Sequence, residues 1–143
     1  MLTRALLVLM LLGGSLALPV TASAEEPKLL ALGLADHEVT EAELAEGKTL
    51  PTPKFNTPGI AYALVANVKK GDVVEITFNN DKGPLHRNSV TLDEDRSKVL
   101  LQAGKRGVPA GGWPPEWTFL AAVKVTRDGK TLIDQSSEPV AFE

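Results

Sequence analysis

From residue 60 onward, apolar and polar residues alternate with the period of two that is typical of β-strands. The alternation covers residues 60–68, 74–78 and 117–125. Because successive side chains of a strand point to opposite faces, each segment is predicted to bury one of its faces. The side chains assigned to the buried faces are those of Ile60, Tyr62, Leu64, Ala66, Val68, Val74, Ile76, Phe78, Trp117, Phe119, Ala121, Val123 and Val125.

Turn signals separate these segments. Asp128-Gly129 supplies the two positive φ angles of a type I′ hairpin, and residues 69–72 and 79–84 are rich in turn-forming residues. Shorter apolar runs predict further strands, at residues 29–34, 90–92, 99–101, 132–133 and 140–142. With about seven short strands and no alternation with long helices, the chain is predicted to be all-β, a single antiparallel β-sandwich.

The N-terminal part of the mature chain is less regular. Thr40 and Glu43 have the spacing of a capping box and Gly47 suits a C-cap, so a short helical turn is predicted near residues 40–46. Three prolines between residues 51 and 58 indicate an extended crossing segment.

Two stretches resemble a known class of domain. The end of the chain reads W-x-x-x-W-T-F-x-x-x-V-x-V-x-x-D-G-K-x-L and closes with V-A-F, and residues 68–78 contain a K-K-G-D turn. Together they resemble the closing hairpin and an earlier strand pair of immunoglobulin-like or fibronectin-III-like domains in exported bacterial proteins. The resemblance implies an immunoglobulin-like sandwich, and it implies little about function because this fold carries many unrelated activities.

The first residues have the pattern of a secretory signal peptide. Arg4 precedes an apolar run from Ala5 to Leu12, and Ala22-Ser23-Ala24 is a cleavage signal. The run is shorter than the ~20 residues of a membrane-spanning helix. We therefore predict a periplasmic or secreted protein without a membrane span after cleavage. Residues 1–24 form the leader, residues 25–59 the N-terminal strand and Pro-rich crossing segment, and residues 60–143 the sandwich body.

Charge and composition exclude several functions. The leader contains one of the 15 Lys and Arg residues and none of the 18 Asp and Glu residues, so the mature chain has a formal net charge of −4. This balance argues against binding to nucleic acid or to anionic membranes. The chain has no cysteine, and both methionines lie in the leader. Blue-copper sites, covalent haem and thiol exchange are therefore excluded, and no cofactor is predicted.

The histidines offer little catalytic or metal chemistry. His86 is followed by Ser89, Asp93 and Asp95, but no hydrolase signature surrounds the serine, so a hydrolase ranks a distant third and no catalytic residue is assigned. His37 lies between two acidic residues, and a transition-metal site usually needs three or more ligands. We predict a surface histidine and no metal site there.

The Gly- and Pro-rich loop from Ala103 to Glu116 is the candidate binding site. Tryptophan is enriched at interaction hot spots, and long loops at the ends of sandwiches often bind ligands. Trp117 shares the phase of the following strand and is assigned to the core, whereas Trp113 is left open between packing and binding. The predicted binding residues are Trp113, Lys105, Arg106 and Glu116.

Two functions remain. The first is an exported, non-catalytic binding or accessory protein of the bacterial cell envelope, which contacts a protein partner through a loop or a sheet edge. The alternative is a carbohydrate-binding or small-ligand module that uses the Trp113 loop. The sequence alone does not identify which sheet edge is open, although an unpaired edge is a route for strand addition by a partner.

Overall fold

The computed structural model describes residues 26–47, 50–105 and 107–143, with the side chain of Lys105 excepted. The predicted signal peptide therefore lies outside the described residues. Within them the chain forms eight strands and one short helix. These are β1 (Lys28–Ala35), α1 (Glu41–Ala45), β2 (Gly59–Val68), β3 (Val73–Asn80), β4 (Gly83–Thr91), β5 (Arg96–Lys105), β6 (Thr118–Arg127), β7 (Lys130–Ser136) and β8 (Val140–Ala141). The prediction of an all-β sandwich is confirmed.

The strands form two antiparallel sheets. The first sheet has the order β1-β2-β5, and the second has the order β4-β3-β6-β7, with β8 also pairing with β6. The edge strands β4 and β5 follow each other in the chain but belong to different sheets. The connection between them, residues 92–95, therefore carries the chain from the second sheet to the first.

The hydrophobic core lies between the two sheets. Its members from β3 and β6 are those that the alternation predicts, namely Val74, Ile76, Phe78, Phe119, Ala121, Val123 and Val125. The type I′ hairpin is also confirmed, because Asp128 and Gly129 have φ angles of 52° and 77°. Likewise, Thr40 and Glu43 form the predicted capping box at the start of α1.

The predicted face of β2 is wrong for most of its length. Ala61, Ala63 and Val65 contact the second sheet, and the larger residues Ile60 and Leu64 lie on the opposite face. Those two are nevertheless only 3% and 5% exposed. Both faces of this strand are buried, and alternation cannot distinguish two buried faces.

The segment between β1 and β2 covers this outer face. The side chain of Gln102 on β5 forms two hydrogen bonds with the backbone of Val39, at 2.8 and 3.0 Å. Leu64 lines a shallow groove together with Leu44 of α1. The short helix therefore adds a partial third layer over the first sheet.

Two boundaries also differ from prediction. Residues 79–84 were expected to be a turn, but β3 continues to Asn80 and β4 begins at Gly83. The turn histidine expected at position 86 consequently lies within β4, paired with Phe78. Polar edge strands lack the alternation that identifies a half-buried strand, because much of their surface faces solvent.

Candidate functional site

Trp113, the residue left open between packing and binding, is part of the core. Its side chain lies edge-on to the rings of Phe78, Phe119 and Phe142, with centroid distances of 5.7, 5.3 and 5.7 Å. Only 3% of its surface is exposed. A flat aromatic face is therefore not exposed at Trp113, and of the two alternatives that the sequence left open, packing is the one found in the structure. The indole instead closes this end of the sandwich.

Hydrogen bonds from the Pro-rich segment explain why the loop folds inward. The backbone N–H of Trp113 donates to the carbonyl of Phe55, and its indole Nε1 donates to the carbonyl of Thr57, both at 2.8 Å. Gly112 has a φ of +88° and lies so close to Phe55 that a Cβ would come within 2.6 Å of its ring. The Gly- and Pro-rich loop and the Pro-rich crossing segment therefore hold each other in place.

The other residues predicted in this loop do not complete a binding surface in the part of the chain that the structure describes. Glu116 is exposed next to a proline. Arg106 and the side chain of Lys105 lie outside the described part. Trp117, assigned to the core, is half-buried just before β6 and packs against Phe119 at 6.1 Å between ring centroids.

The residues considered for hydrolysis do not converge. His86 lies on the inner face of β4 and its ring stacks on Phe78 at 6.5 Å, whereas Ser89, three residues later, is exposed on the other face. Residues three apart in a strand point in opposite directions. Asp95 accepts a hydrogen bond from the backbone N–H of Lys70 at 2.8 Å. The serine and the histidine are therefore not placed to act together.

His37 links β1 to α1. Its Nδ1 lies 2.7 Å from Asp36 Oδ1 and its Nε2 lies 2.8 Å from Glu43 Oε2. These hydrogen bonds raise the pKa of His37 above its ordinary value, and the bond to Asp36 has a larger effect than the bond to Glu43. The two carboxylates lie on opposite sides of the ring, as in an ion-paired clamp. Among the described residues, no group of three or more His, Asp or Glu side chains is placed to hold a metal ion.

A cleft opens where edge strands β4 and β5 face each other. No backbone ladder joins these two strands in the described residues, and the side chain of Asn88 bridges them by donating from Nδ2 to the carbonyl of Gln102 at 2.9 Å. The cleft has a volume of about 380 Å³ and is lined by Glu38, Ile60, Asn88, Leu100, Leu101, Gln102, Ala103 and Gly104. We call Asn88 together with residues 100–104 the β4–β5 seam.

The register of β5 gives the direction of its backbone groups. In an antiparallel ladder the N–H and C=O of one residue point to the same side, and successive residues alternate. Because the carbonyl of Gln102 meets Asn88, the backbone groups of Leu100, Gln102 and Gly104 point into the seam. Those of Leu101 and Ala103 point toward β2. Across the seam, the side-chain amide of Asn88 on β4 donates a hydrogen bond to the backbone carbonyl of Gln102 on β5.

Charge divides β5 into two halves. Arg96 and Lys98 are exposed near its start, whereas residues 100–104 carry no charged side chain. A lysine on an edge strand discourages unwanted pairing, and residues 100–104 have no such side chain of their own. Val90 of β4 and Leu101 of β5 are half-buried against the core, one on each strand that borders the seam.

Sequence reasoning missed the seam residues. Their signal is weak, because it consists of an uncharged stretch, Leu-Leu-Gln-Ala-Gly, between Lys98 and Lys105. Such a stretch resembles any buried strand. Its exposed edge follows from the order of strands in the two sheets, which one sequence does not specify.

Comparison of the chain with protein-family models, with curated proteins and with solved structures gives no match in any of the three. The resemblance to immunoglobulin-like and fibronectin-III-like domains therefore stays a prediction. Within the described ranges, no helix has the length and apolar character needed to cross a membrane.

Proposed function

We propose that this chain is an exported binding or accessory protein of the cell envelope, and that it contacts a protein partner through the β4–β5 seam. The observation that carries the proposal is the second half of β5, where the backbone groups of Leu100, Gln102 and Gly104 face a cleft instead of another strand. Unpaired strand edges are ready templates for association with another chain.

Export is the second part of the proposal. It rests on the signal-peptide pattern of residues 1–24, which supports a location of the mature chain in the periplasm or outside the cell. The role assigned there is binding, with no catalytic step and no cofactor. The carbohydrate-binding alternative depended on Trp113, whose buried ring and satisfied N–H groups give it no support.

Isolation of the native complex tests this function. The chain carries a short C-terminal affinity tag, is produced at its natural level and is extracted gently from the envelope. Size-exclusion chromatography with light scattering then gives the mass of the assembly. We expect a stoichiometric complex that re-forms from the two purified components. A species with the mass of the mature chain alone, from both envelope and medium, would contradict the proposal.

A further inference from the structure

We infer that residues 40–47 form a strap over the outer face of the first sheet, which is closed while His37 carries a proton on both ring nitrogens and is released when one of them is lost. We call this segment, which contains α1, the α1 strap. The inference describes a pH-sensitive device within the fold. It goes beyond the proposed function, because it needs no partner and is independent of what the seam binds.

The geometry around His37 is satisfied only by a doubly protonated imidazole. Nδ1 lies 2.7 Å from Asp36 Oδ1, and Nε2 lies 2.8 Å from Glu43 Oε2. An ionised carboxylate only accepts hydrogen bonds, and a neutral imidazole has one N–H and one lone pair. Loss of the proton therefore leaves one carboxylate facing a lone pair at hydrogen-bond distance. The neutral ring keeps one of its two partners and not both.

The hydrogen bond to Glu43 is the one that we expect to break. Asp36 is the neighbour of His37 in the chain, so little conformational entropy is spent in keeping that contact. It also has the larger effect on the pKa of His37. The bond to Glu43 spans six positions and holds α1. The neutral ring therefore keeps Asp36 and releases the strap.

The helix depends on this contact because it is short and shallow. α1 has five residues, and none of them is buried. Isolated helices of this length are unstable in water, so its position depends on tertiary contacts. While Glu43 Oε2 binds His37, its Oε1 accepts the backbone N–H of Thr40 at 3.0 Å in the capping box. Loss of the His37 bond therefore acts on the residue that also caps the helix.

His37 is the one basic side chain in an acidic stretch. Residues 36–47 contain no Lys or Arg and five acidic residues, namely Asp36, Glu38, Glu41, Glu43 and Glu46. Loss of the proton from His37 therefore leaves this stretch with negative charges alone. Because like charges repel, the neutral histidine favours a strap that has moved away from its clamp.

The charged groups of the sheet beneath do not titrate in the same range. β2 has no charged side chain, β1 has Lys28 as its first residue, and β5 has Arg96, Lys98 and Lys105. Of these, Lys98 lines the groove between α1 and the sheet. Ordinary pKa values lie near 4 for carboxylic acids and above 10 for Lys and Arg. Between pH 6 and 9, the change of charge at the clamp is therefore that of His37.

The strap is anchored on both sides by groups that do not titrate. Before it, Val39 is buried, and its backbone forms two hydrogen bonds with the side chain of Gln102 at 2.8 and 3.0 Å. After it, Pro53 is fully buried. Loss of the proton from His37 therefore moves α1 while the sandwich beneath it stays folded.

Release of the strap uncovers Leu64. This side chain is buried on the outer face of β2, and it lines a groove of about 290 Å³ together with Leu30 of β1 and Leu44 of α1. Leu44 is half-buried there. When α1 moves away, Leu64 becomes accessible to solvent, and the outer face of the first sheet presents an apolar surface.

The direction of the switch follows from the linkage between protonation and closure. The closed strap holds the pKa of His37 above its ordinary value of 6.5, and in the open strap the pKa falls because the bond to Glu43 is lost. Closure is therefore most complete below pH 6.5. Between the open-state and closed-state pKa values, the ratio of open to closed molecules rises by up to about tenfold per pH unit, and above them it is constant.

Solvent paramagnetic relaxation, measured by NMR, tests the inference on the mature chain with ¹³C-labelled methyl groups. A neutral gadolinium chelate in solution speeds the relaxation of the methyl groups that it can approach. Between pH 5.5 and 9, the enhancement at the Leu64 methyls should rise about threefold or more, with the same midpoint as the imidazole of His37 in the same samples. The enhancement at Val123, a buried core residue, should stay constant.

Replacement of each histidine provides the matched comparison, because the chain has two. His37→Gln leaves a side chain with a donor and an acceptor that does not titrate, so the enhancement at Leu64 should be independent of pH. His86→Gln removes the histidine of β4 and leaves the clamp in place, so the pH profile of Leu64 should match that of the natural chain.

The outcomes separate strap release from other changes. A constant enhancement at Leu64 while His37 titrates, or an equal rise in His37→Gln, would overturn the inference. A parallel rise at Val123 would show loosening of the whole sandwich and would overturn it as well. If His37→Gln does not fold, different midpoints for Leu64 and His37 in the natural chain would overturn it instead. No partner enters the experiment, so its result and the fate of the proposed function are independent.

Discussion

At the scale of single residues, Asp72 and Arg127 hold one end of the sandwich together. Asp72 is fully buried, and its carboxylate accepts hydrogen bonds from Nε and Nη2 of Arg127, both at 2.8 Å. It also accepts the backbone N–H of Lys69 at 2.8 Å. The pair thus ties the turn before β3 to the end of β6. These hydrogen bonds hold the pKa of Asp72 below its ordinary value, and those from Arg127 have the largest effect.

Replacement of Asp72 by Asn should destabilise the protein by about 2 kcal/mol, somewhat less than a fully buried pair because the Arg127 side chain is 23% exposed. The amide cannot form the bidentate charged pair with the guanidinium of Arg127. Chemical denaturation measures the change in the free energy of unfolding. Asp93→Asn, in an exposed turn, is the control and should change it by less than about 0.5 kcal/mol. Equal effects would contradict a special role for Asp72.

The same pair predicts how stability depends on acidity. Because the folded-state pKa of Asp72 is lowered, its contribution is complete above the ordinary Asp pKa of about 4 and is lost as the pH falls through the folded-state value. The difference in unfolding free energy between the natural chain and Asp72→Asn should therefore be constant from neutral pH to about pH 4 and shrink below it. A difference independent of pH would count against the ion pair.

Trp113 shows at the same scale why the loop was difficult to predict. A loop has no periodicity, and the partners of this residue, Phe55 and Thr57, lie more than fifty positions earlier in the chain.

The burial of Trp113 can be tested by fluorescence because the chain has two tryptophans. In Trp117→Phe, the emission of Trp113 should be blue-shifted and resist quenching by acrylamide. In Trp113→Phe, the half-buried Trp117 should be quenched more readily; the reverse order would contradict the packing.

At the scale of elements, local rules predicted much of the sandwich. The alternation in β3 and β6, the Asp128-Gly129 hairpin and the capping box of α1 each depend on neighbours in sequence, and each is confirmed. The face of β2 was wrong because the covering layer, residues 36–47, comes from another part of the chain. Asn67, with a φ of 60°, interrupts the alternation, so that Val68 joins the same core as Val65.

The pairing of β2 with β5 requires a glycine at position 104. A Cβ there would lie 2.3 Å from the carbonyl oxygen of Gly59 and 2.7 Å from Cα of Ile60. Gly104→Ala should therefore push the strands apart and destabilise the protein by about 2 kcal/mol in chemical denaturation. Gly107→Ala is the matched control, because a Cβ there meets nothing within 4 Å. Similar stability of both variants would show that the close approach does not matter.

The clamp on α1 should depend on pH in the opposite sense from Asp72. The folded-state pKa of His37 is raised, so its stabilising contribution is complete below pH 6.5 and is lost as the pH rises through the folded-state value. An NMR titration of the imidazole should give a midpoint above 6.5. Glu43→Gln removes one carboxylate and should lower that midpoint. An unchanged midpoint in the variant would mean that the clamp does not form in solution.

At the scale of the whole molecule, the described part of the sandwich has two closed ends. Aromatic rings around Trp113 fill one end, and the Asp72–Arg127 pair closes the other. Along its sides, β1, β4, β5 and β7 lie at the edges of the two sheets. The sequence could not identify the β4–β5 seam, because its position depends on which strands lie at these edges. The candidate site therefore moves from the loop that composition favoured to an edge that topology exposes.

Site-specific photo-crosslinking in the intact envelope tests the central claim most directly. A photoreactive amino acid replaces Leu100 in the seam in one strain and Lys124, exposed on the outer face of the second sheet, in another. We expect one partner to be crosslinked in high yield from position 100 and not from position 124. Crosslinking of the same partner from position 124 but not from position 100 would contradict binding at the seam.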